Sequence, residues 1–198
     1  MHTYTPKEFD LPELQGLSEK QIEAHLGLYK GYVTHVNLIA EKLSAVRSGE
    51  LEMDPYVVSE LRRRFAFEFD GMRMHEYYFT QFEGGSKTLR DDSALAKSVS
   101  EKYGSGEDFI NHVKEVVTTR GIGWVVVYYD KIAETVHTTF VADHELGQLA
   151  GLPIILALDV WEHAFMVDYL PAEKGKYIDS FLNNLNWEVI EKRFTDTK

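Results

Sequence analysis

The sequence predicts an α+β fold in which an N-terminal antiparallel helical hairpin is followed by an α/β half, with a three-stranded antiparallel sheet flanked by helices. Apolar residues recur at helical spacing in two long segments before residue 84. Three shorter apolar runs with the composition of strands follow after residue 122. Gly84-Gly85-Ser86 lies between them, so we expect two domains, residues 1–84 and 85–198.

Capping patterns mark the starts of the two long helices. Ser18 and Gln21 form a Ser-x-x-Gln pattern, and the helix that follows runs roughly to Val46. Pro55 suits the first turn of a helix, so the second helix begins there and runs to about Phe82. A short connection between two long helices predicts that they pack as an antiparallel pair.

The next segments predict two helices and then a β-hairpin. The helices cover about 92–103 and 106–119. Gly123 to Tyr129 is rich in β-branched and aromatic residues and predicts a strand. Asp130-Lys131 is the predicted turn, and Thr135 to Ala142 is the returning strand.

A third apolar run, Leu152 to Leu158, predicts the last strand and stops at Asp159. The segment from Trp161 to about Arg193 is again mostly helical in pattern. We expect interruptions of that segment at Pro171 and Gly175.

Composition limits the chemistry available to this chain. With 198 residues and 44% hydrophobic content, it can bury a full core. Without cysteine it cannot form disulfides, thiolate zinc sites or cysteine-ligated iron–sulfur clusters. Any metal must therefore be bound by nitrogen and oxygen donors.

The net charge and the hydropathy pattern exclude two classes of partner. A formal charge of −11 at pH 7 repels polyanions, so we expect no nucleic-acid partner. We interpret the exception, Arg62-Arg63-Arg64, as a solvated helix face that balances acidic neighbours. No apolar run approaches the roughly 20 residues needed to cross a bilayer, and the first residues lack the layout of a signal peptide. We therefore expect a cytoplasmic protein with no membrane partner.

Four side chains are candidate metal ligands. His25 lies on the apolar stripe of the first helix, and His75 has aromatic neighbours in the second. Taken alone, each is more simply a hydrogen-bonded core histidine, because an unpaired buried imidazole is costly. Asp159 ends an apolar strand and His163 follows four residues later, which brings a carboxylate and an imidazole near one point. Together the four favour one metal site.

Several motifs carry a resemblance to a known family. Asp159 to Ala164, Asp-Val-Trp-Glu-His-Ala, resembles the signature of the iron/manganese superoxide dismutases. Arg120 to Trp124 is similar to the family's Arg-x-Gly-Ser-Gly-Trp stretch, and Tyr32 with Asn37 five residues later is similar to its Tyr-Val-x-x-x-Asn. Asn186-Trp187 resembles the terminal Asn-Trp, so the motifs agree in order along nearly the whole chain.

The resemblance implies a mononuclear site and a reaction. His25, His75, Asp159 and His163 would bind one iron or manganese ion per chain, with iron slightly favoured and a solvent molecule as the fifth ligand. The substrate would be the superoxide anion, and the products dioxygen and hydrogen peroxide.

It also implies groups around that site. Tyr32 matches the substrate-gate tyrosine, Trp124 would wall the cavity, and Trp161 would pack beside the ligands. Iron-type members orient the bound solvent with a glutamine at the position of Gly71. We therefore expect His144, in the loop after the hairpin, to take that role.

The resemblance further implies assembly. Glu162 is similar to the glutamate that reaches across a dimer interface to the partner's last histidine ligand, so we expect a homodimer or a dimer of dimers.

The chain departs from the family at the entrance to the site. The gateway histidine falls on Tyr29 or Leu28, and the tyrosine two residues after the last ligand is Phe165. The first helix is also one residue shorter between ligand and gate tyrosine. We expect it to lack a π-type bulge, with regular α-helix through residues 25–32.

Other functions stay open from the sequence. The first alternative is a metal-binding dimer on the same scaffold with little or no dismutase activity. A di-iron carboxylate bundle needs two Glu-x-x-His pairs, but only Glu134-x-x-His137 exists, and it falls in a predicted strand. A zinc hydrolase would need a general base and a substrate groove that the sequence does not indicate. Cations that we expect near the entrance are Lys30, Lys174 and Lys176.

Overall fold

The computed structural model describes residues 2–197. The first helix, α1, covers Glu19–Ser48 and begins where Ser18 Oγ accepts a hydrogen bond from the Gln21 N–H at 3.1 Å. It ends at Gly49, whose φ of 81° is the left-handed conformation typical of a helix C-terminus. The helix is α-type throughout, including residues 25–32, which confirms the expected absence of a π-type bulge.

The second helix, α2, covers Pro55–Thr80 and runs antiparallel to α1. His25 on α1 lies beside His75 on α2, with ring centroids 4.9 Å apart. Farther along α1, Tyr32 packs against Gly71, which comes earlier on α2. The predicted hairpin is therefore confirmed, and its inner face brings the polar candidates together.

An antiparallel sheet dominates the second half, and its strands are β1, Gly123–Asp130; β2, Thr135–Ala142; and β3, Ile154–Asp159. Their order in the sheet is β2-β1-β3. The central strand is buried in all but its last residue, which explains why its sequence is almost continuously apolar. Trp124 on β1 pairs with Asp159 at the end of β3. The first two helices of this half are α3, Ala94–Tyr103, and α4, Gly106–Val117.

The hairpin turn differs from the prediction. Residues 131–134 form the turn, because β1 continues through Asp130. The Asp130 carboxylate accepts hydrogen bonds from the N–H groups of Ile132 at 2.8 Å and Ala133 at 3.1 Å. These bonds stabilise a longer turn than the two residues that we expected.

The chain after β3 is less helical than predicted. Residues 165–170 separate two short 3₁₀ turns, and the second turn begins at Pro171, where the missing N–H costs no helical bond. The expected interruption at Gly175 is wrong, because that residue lies in the first turn of a helix. The elements are 3₁₀ turns at Glu162–Ala164 and Pro171–Glu173; α5, Lys174–Asn184; and α6, Trp187–Asp196.

One hydrophobic core extends across both halves of the molecule. The chain after α2 is also held by backbone bonds to the C-terminal segment, from Asn186 N to Gln81 O at 2.8 Å and from Lys87 N to Leu185 O at 3.0 Å. The boundary between residues 84 and 85 stays a prediction. Within residues 2–197, no helix combines the length and the apolar character needed to span a membrane.

Candidate metal centre

The four predicted ligands converge on one point. Ligand atoms of His25, His75, Asp159 and His163 all lie within 4.8 Å of one another. The shared neighbour is Asp159 Oδ2, which lies 3.0 Å from His25 Nε2, 3.7 Å from His75 Nε2 and 3.3 Å from His163 Nε2. The side chains of His25, His75 and Asp159 are fully buried, and that of His163 is 18% exposed.

These separations suit the ligands of a single ion. Donor atoms about 2.1 Å from one metal, at angles of about 90 to 120°, lie about 3.0 to 3.6 Å apart. His75 Nε2 and His163 Nε2 are buried and have no hydrogen-bond partner within residues 2–197. Because an unpaired buried nitrogen is costly, a cation that binds both would remove the cost. Three imidazoles and one carboxylate form a donor set suited to iron or manganese.

Hydrogen bonds behind the site orient two of the ligands. His75 Nδ1 lies 2.6 Å from the Gly71 carbonyl oxygen, so Nδ1 carries the proton and the Nε2 lone pair faces the centre. Asp159 Oδ1 accepts from Trp161 N at 2.8 Å, and the Asp159 carbonyl accepts from the Tyr177 hydroxyl at 2.7 Å. His25 Nδ1 is buried without a partner among the described residues.

The charge states of the site favour cation binding. Burial lowers the pKa values of His25 and His75, so both imidazoles are neutral at pH 7. For Asp159, burial raises the pKa, but the interactions of its carboxylate with the imidazoles of His163 and His25 outweigh burial and hold the pKa well below its usual value. Neutral imidazoles beside an ionised carboxylate are the forms that bind a metal.

A hydrogen-bonded chain adjoins the ligands. Trp124 Nε1 donates to His144 Nδ1 at 2.9 Å, and His144 Nε2 lies 2.8 Å from the Tyr32 hydroxyl. Because an indole N–H can only donate, His144 Nδ1 must be the acceptor, and the ring proton is on Nε2. Burial lowers the pKa of His144 to about 4, so the ring is neutral at pH 7 and donates to Tyr32.

Two aromatic side chains enclose His144. Trp161 stacks on His144 with ring centroids 4.9 Å apart and on His163 at 5.5 Å. Phe67 packs edge-on against His144 at 4.6 Å. Sequence reasoning missed Phe67, although it precedes Gly71 by four residues and His75 by eight, which places all three on one face of α2.

The remaining candidate residues lie away from the hydrogen bonds that join Trp124, His144 and Tyr32. The Tyr29 hydroxyl accepts from Lys7 N at 2.8 Å and donates to Glu76 Oε1 at 3.3 Å, so it binds the N-terminal segment. Phe165 is buried and stacks on Tyr177. Glu162 is exposed on the surface of the chain.

Comparison with known proteins agrees with this geometry. Residues 91–193 match the family described as iron/manganese superoxide dismutases, C-terminal domain. A protein of Aquifex aeolicus named as an iron superoxide dismutase is 32% identical over 199 residues, which cover 98% of this chain and 92% of the relative. The chain belongs to the iron/manganese superoxide dismutase family.

Two further members of the family support the assignment. An iron superoxide dismutase of Sulfolobus acidocaldarius is 31% identical, covering 89% of this chain and 85% of the relative. A manganese/iron superoxide dismutase of Aeropyrum pernix is 30% identical, covering 85% and 78%. Relatives in the superoxide dismutase family thus carry either metal in their names.

Gly71 leaves room for Tyr32, and this contact generates a prediction. A Cβ at residue 71 would lie 2.7 Å from Tyr32 Cδ1, which is too close for two carbon atoms. We expect Gly71→Ala to displace the Tyr32 ring and to lower the free energy of unfolding by about 1 to 3 kcal/mol. Urea unfolding of the two proteins measures the change.

Gly31→Ala is the matched control, because Gly31 is a helical glycine with nothing within 4 Å of its added Cβ. Alanine there should raise the free energy of unfolding by about 0.5 to 1 kcal/mol through helix propensity. An equal gain in both variants would show that Tyr32 does not pack against residue 71.

Proposed function

We propose that the chain is a superoxide dismutase whose single iron or manganese ion is bound by His25, His75, Asp159 and His163. The observation that supports this most directly is the convergence of the four donors, with two buried Nε2 atoms that lack any other partner. An iron or manganese ion bound by these residues would supply one-electron redox chemistry, through which two superoxide anions and two protons would yield dioxygen and hydrogen peroxide.

The ligand residues determine the net charge of the donor set. Asp159 supplies one negative charge, and the three imidazoles remain neutral donors. Since His25, His75 and Asp159 are fully buried, water has little access to the donors from behind. The approach from solvent lies on the side of His163, Trp161 and Tyr32, which are partly exposed.

Tyr32 and His144 hold a proton beside the ligands. His144 donates to the Tyr32 hydroxyl oxygen, which leaves the Tyr32 hydroxyl hydrogen free to point into the cavity. Burial and the charges of Asp159 and Glu68 raise the pKa of Tyr32, so its oxygen keeps its proton at neutral pH. We therefore propose that His144 orients the bound solvent indirectly, through Tyr32, whose hydroxyl would donate the hydrogen bond to that solvent.

The alternative is a metal-binding dimer with little or no activity. It is favoured by the missing entrance pair, because the Tyr29 hydroxyl is bonded to Lys7 and Glu76, and Phe165 has no hydroxyl. Both functions require the metal, and they differ in turnover per bound ion.

Metal analysis combined with superoxide turnover tests the proposal. We expect about one iron or manganese ion per chain, and dismutation in proportion to bound metal. Asp159→Asn removes the shared carboxylate charge and should lower metal content to about a tenth or less. Asp91→Asn, at an exposed position, is the control. A fully loaded protein without turnover would establish the inactive alternative, and full loading of Asp159→Asn would contradict the ligand set.

The role of His144 is tested by two substitutions. His144→Gln keeps an acceptor for Trp124 and a donor for Tyr32, so turnover per metal should stay within severalfold of the parent. His144→Ala loses both bonds and should lower turnover about tenfold or more, with metal content unchanged. Stopped-flow decay of superoxide measures both variants. Equal activity of the alanine and glutamine variants would show that the hydrogen bonds are not used.

We further propose a homodimer in which Glu162 bonds His163 of the partner subunit. Glu162 is exposed beside the partly exposed His163, and both lie near an apolar surface. A two-fold interface would pair this surface with itself, so each Glu162 could reach the opposite site. The exposed apolar residues of this segment are Met166, Val167 and Leu170.

Sedimentation analysis tests this assembly. The parent protein should sediment as a dimer or a dimer of dimers. Glu162→Gln removes a charged hydrogen bond across the interface and should raise the dimer dissociation constant about tenfold or more. Glu107→Gln, an exposed glutamate on α4, should leave the dissociation constant unchanged. A monomeric parent, or equal effects of both substitutions, would refute the role of Glu162.

A further inference from the structure

An ion pair on α2 lies at the solvent side of the metal centre. Arg64 Nε donates to Glu68 Oε1 at 2.7 Å. The Arg64 side chain is 47% exposed, whereas that of Glu68 is 4% exposed. The pair therefore presents its positive end to solvent and keeps its negative end inside the protein.

Arg64 is stacked on the wall of the site. Its guanidinium carbon lies 3.7 Å from the centroid of the Phe67 ring, close enough for a cation–π contact. Phe67 in turn packs against His144 at 4.6 Å and Tyr32 at 6.2 Å. Arg64 is exposed and paired with an acidic neighbour, as we expected for the arginine triplet, and it also contacts the wall of the site through Phe67.

Glu68 lies one helical turn before Gly71, the residue that contacts Tyr32. Its Oε2 is buried and has no hydrogen-bond partner within residues 2–197. On α1, the His35 Nδ1 atom is 3.6 Å from Oε2, and the His35 side chain is 57% exposed. A buried carboxylate with one oxygen that accepts no hydrogen bond retains a negative field beside Tyr32.

Both charges act on the site. The negative charge of Glu68 raises the pKa of Tyr32 and the positive charge of Arg64 lowers it. Arg64 also contributes to the lowered pKa of His144, after burial. The two members of the pair therefore act with opposite signs on the hydroxyl that faces the cavity.

Two of the three lysines expected at the entrance, Lys174 and Lys176, interact with groups elsewhere. Lys176 is paired with Glu173 at 2.7 Å, and Lys174 lies 3.4 Å from the Val117 carbonyl oxygen. Arg63, next to Arg64, is 63% exposed and paired with Glu60 within its own helix. Arg64 thus combines exposure with a direct contact to the wall of the site.

We propose that Arg64 and Glu68 set the electrostatic potential that anions meet at the metal centre, Arg64 by attracting them and Glu68 by repelling them. The inference rests on the proposed function, because the anion in turnover is superoxide. The chain carries a formal charge of −11, so an anionic substrate depends on local positive potential at the entrance. Glu68 would then lower the rate of dismutation, and the Glu68→Gln protein would bind anions more tightly at its metal centre.

Azide titration of the metal-loaded protein, followed by visible absorption, tests anion access without turnover. We expect Arg64→Gln to weaken azide binding about two- to threefold and Glu68→Gln to tighten it by a similar factor at low salt. The double variant should return close to the parent, and Arg63→Gln, with the same loss of charge one residue away, should change little. High ionic strength should reduce every difference.

Superoxide decay rates at the same ionic strengths should change in the same directions as azide affinity. Two results would overturn the proposal. If Arg64→Gln and Glu68→Gln changed azide affinity in the same direction, a packing change would explain the effects. If Arg63→Gln had the same effect as Arg64→Gln, a loss of net charge would explain them. If the loaded protein lacks turnover, the azide series still decides the role of the pair. If azide binding is the same in all variants while turnover is normal, the pair has no role and the dismutase assignment stands.

Discussion

The structure depends on placing three imidazoles around one buried carboxylate oxygen. Asp159 Oδ2 lies 3.0 to 3.7 Å from three histidine nitrogens, in a region where burial opposes charge. Such a group of polar atoms is costly unless a cation joins them. The four donors come from the two long helices, the end of β3 and the turn that follows, so these elements must converge. The hydrophobic core extends around the point where they do.

Directional hydrogen bonds extend this constraint outward. The Trp124 indole N–H can only donate, so His144 Nδ1 must accept its hydrogen bond. The ring proton of His144 is therefore on Nε2, which faces Tyr32. The orientation of a single proton is thus determined by a residue on the central strand. Trp161 and Phe67 pack on the faces and edge of His144, so the ring has little freedom to turn.

The helical hairpin and the convergence of the four candidate ligands could be predicted, because helical periodicity and a distinctive motif are local properties of the sequence. The turn after β1 could not, since the Asp130 carboxylate selects its length through bonds to backbone N–H groups. Gly175 is tolerated in α5 because glycine weakens a helix without excluding it. The contacts of Phe67 with Tyr32 on α1 and with His144 in the loop after β2 could not be predicted, since only the fold brings those residues together.

The contact between His25 and Asp159 joins residues 134 positions apart. Closing so long a segment carries a large entropic cost, which the ion helps to offset once both ends are present. During synthesis, the chain cannot complete its coordination sphere until β3 and the turn at His163 have left the ribosome. A metal that needs all four donors could therefore bind only late in the synthesis of this protein, after most of the chain has been made.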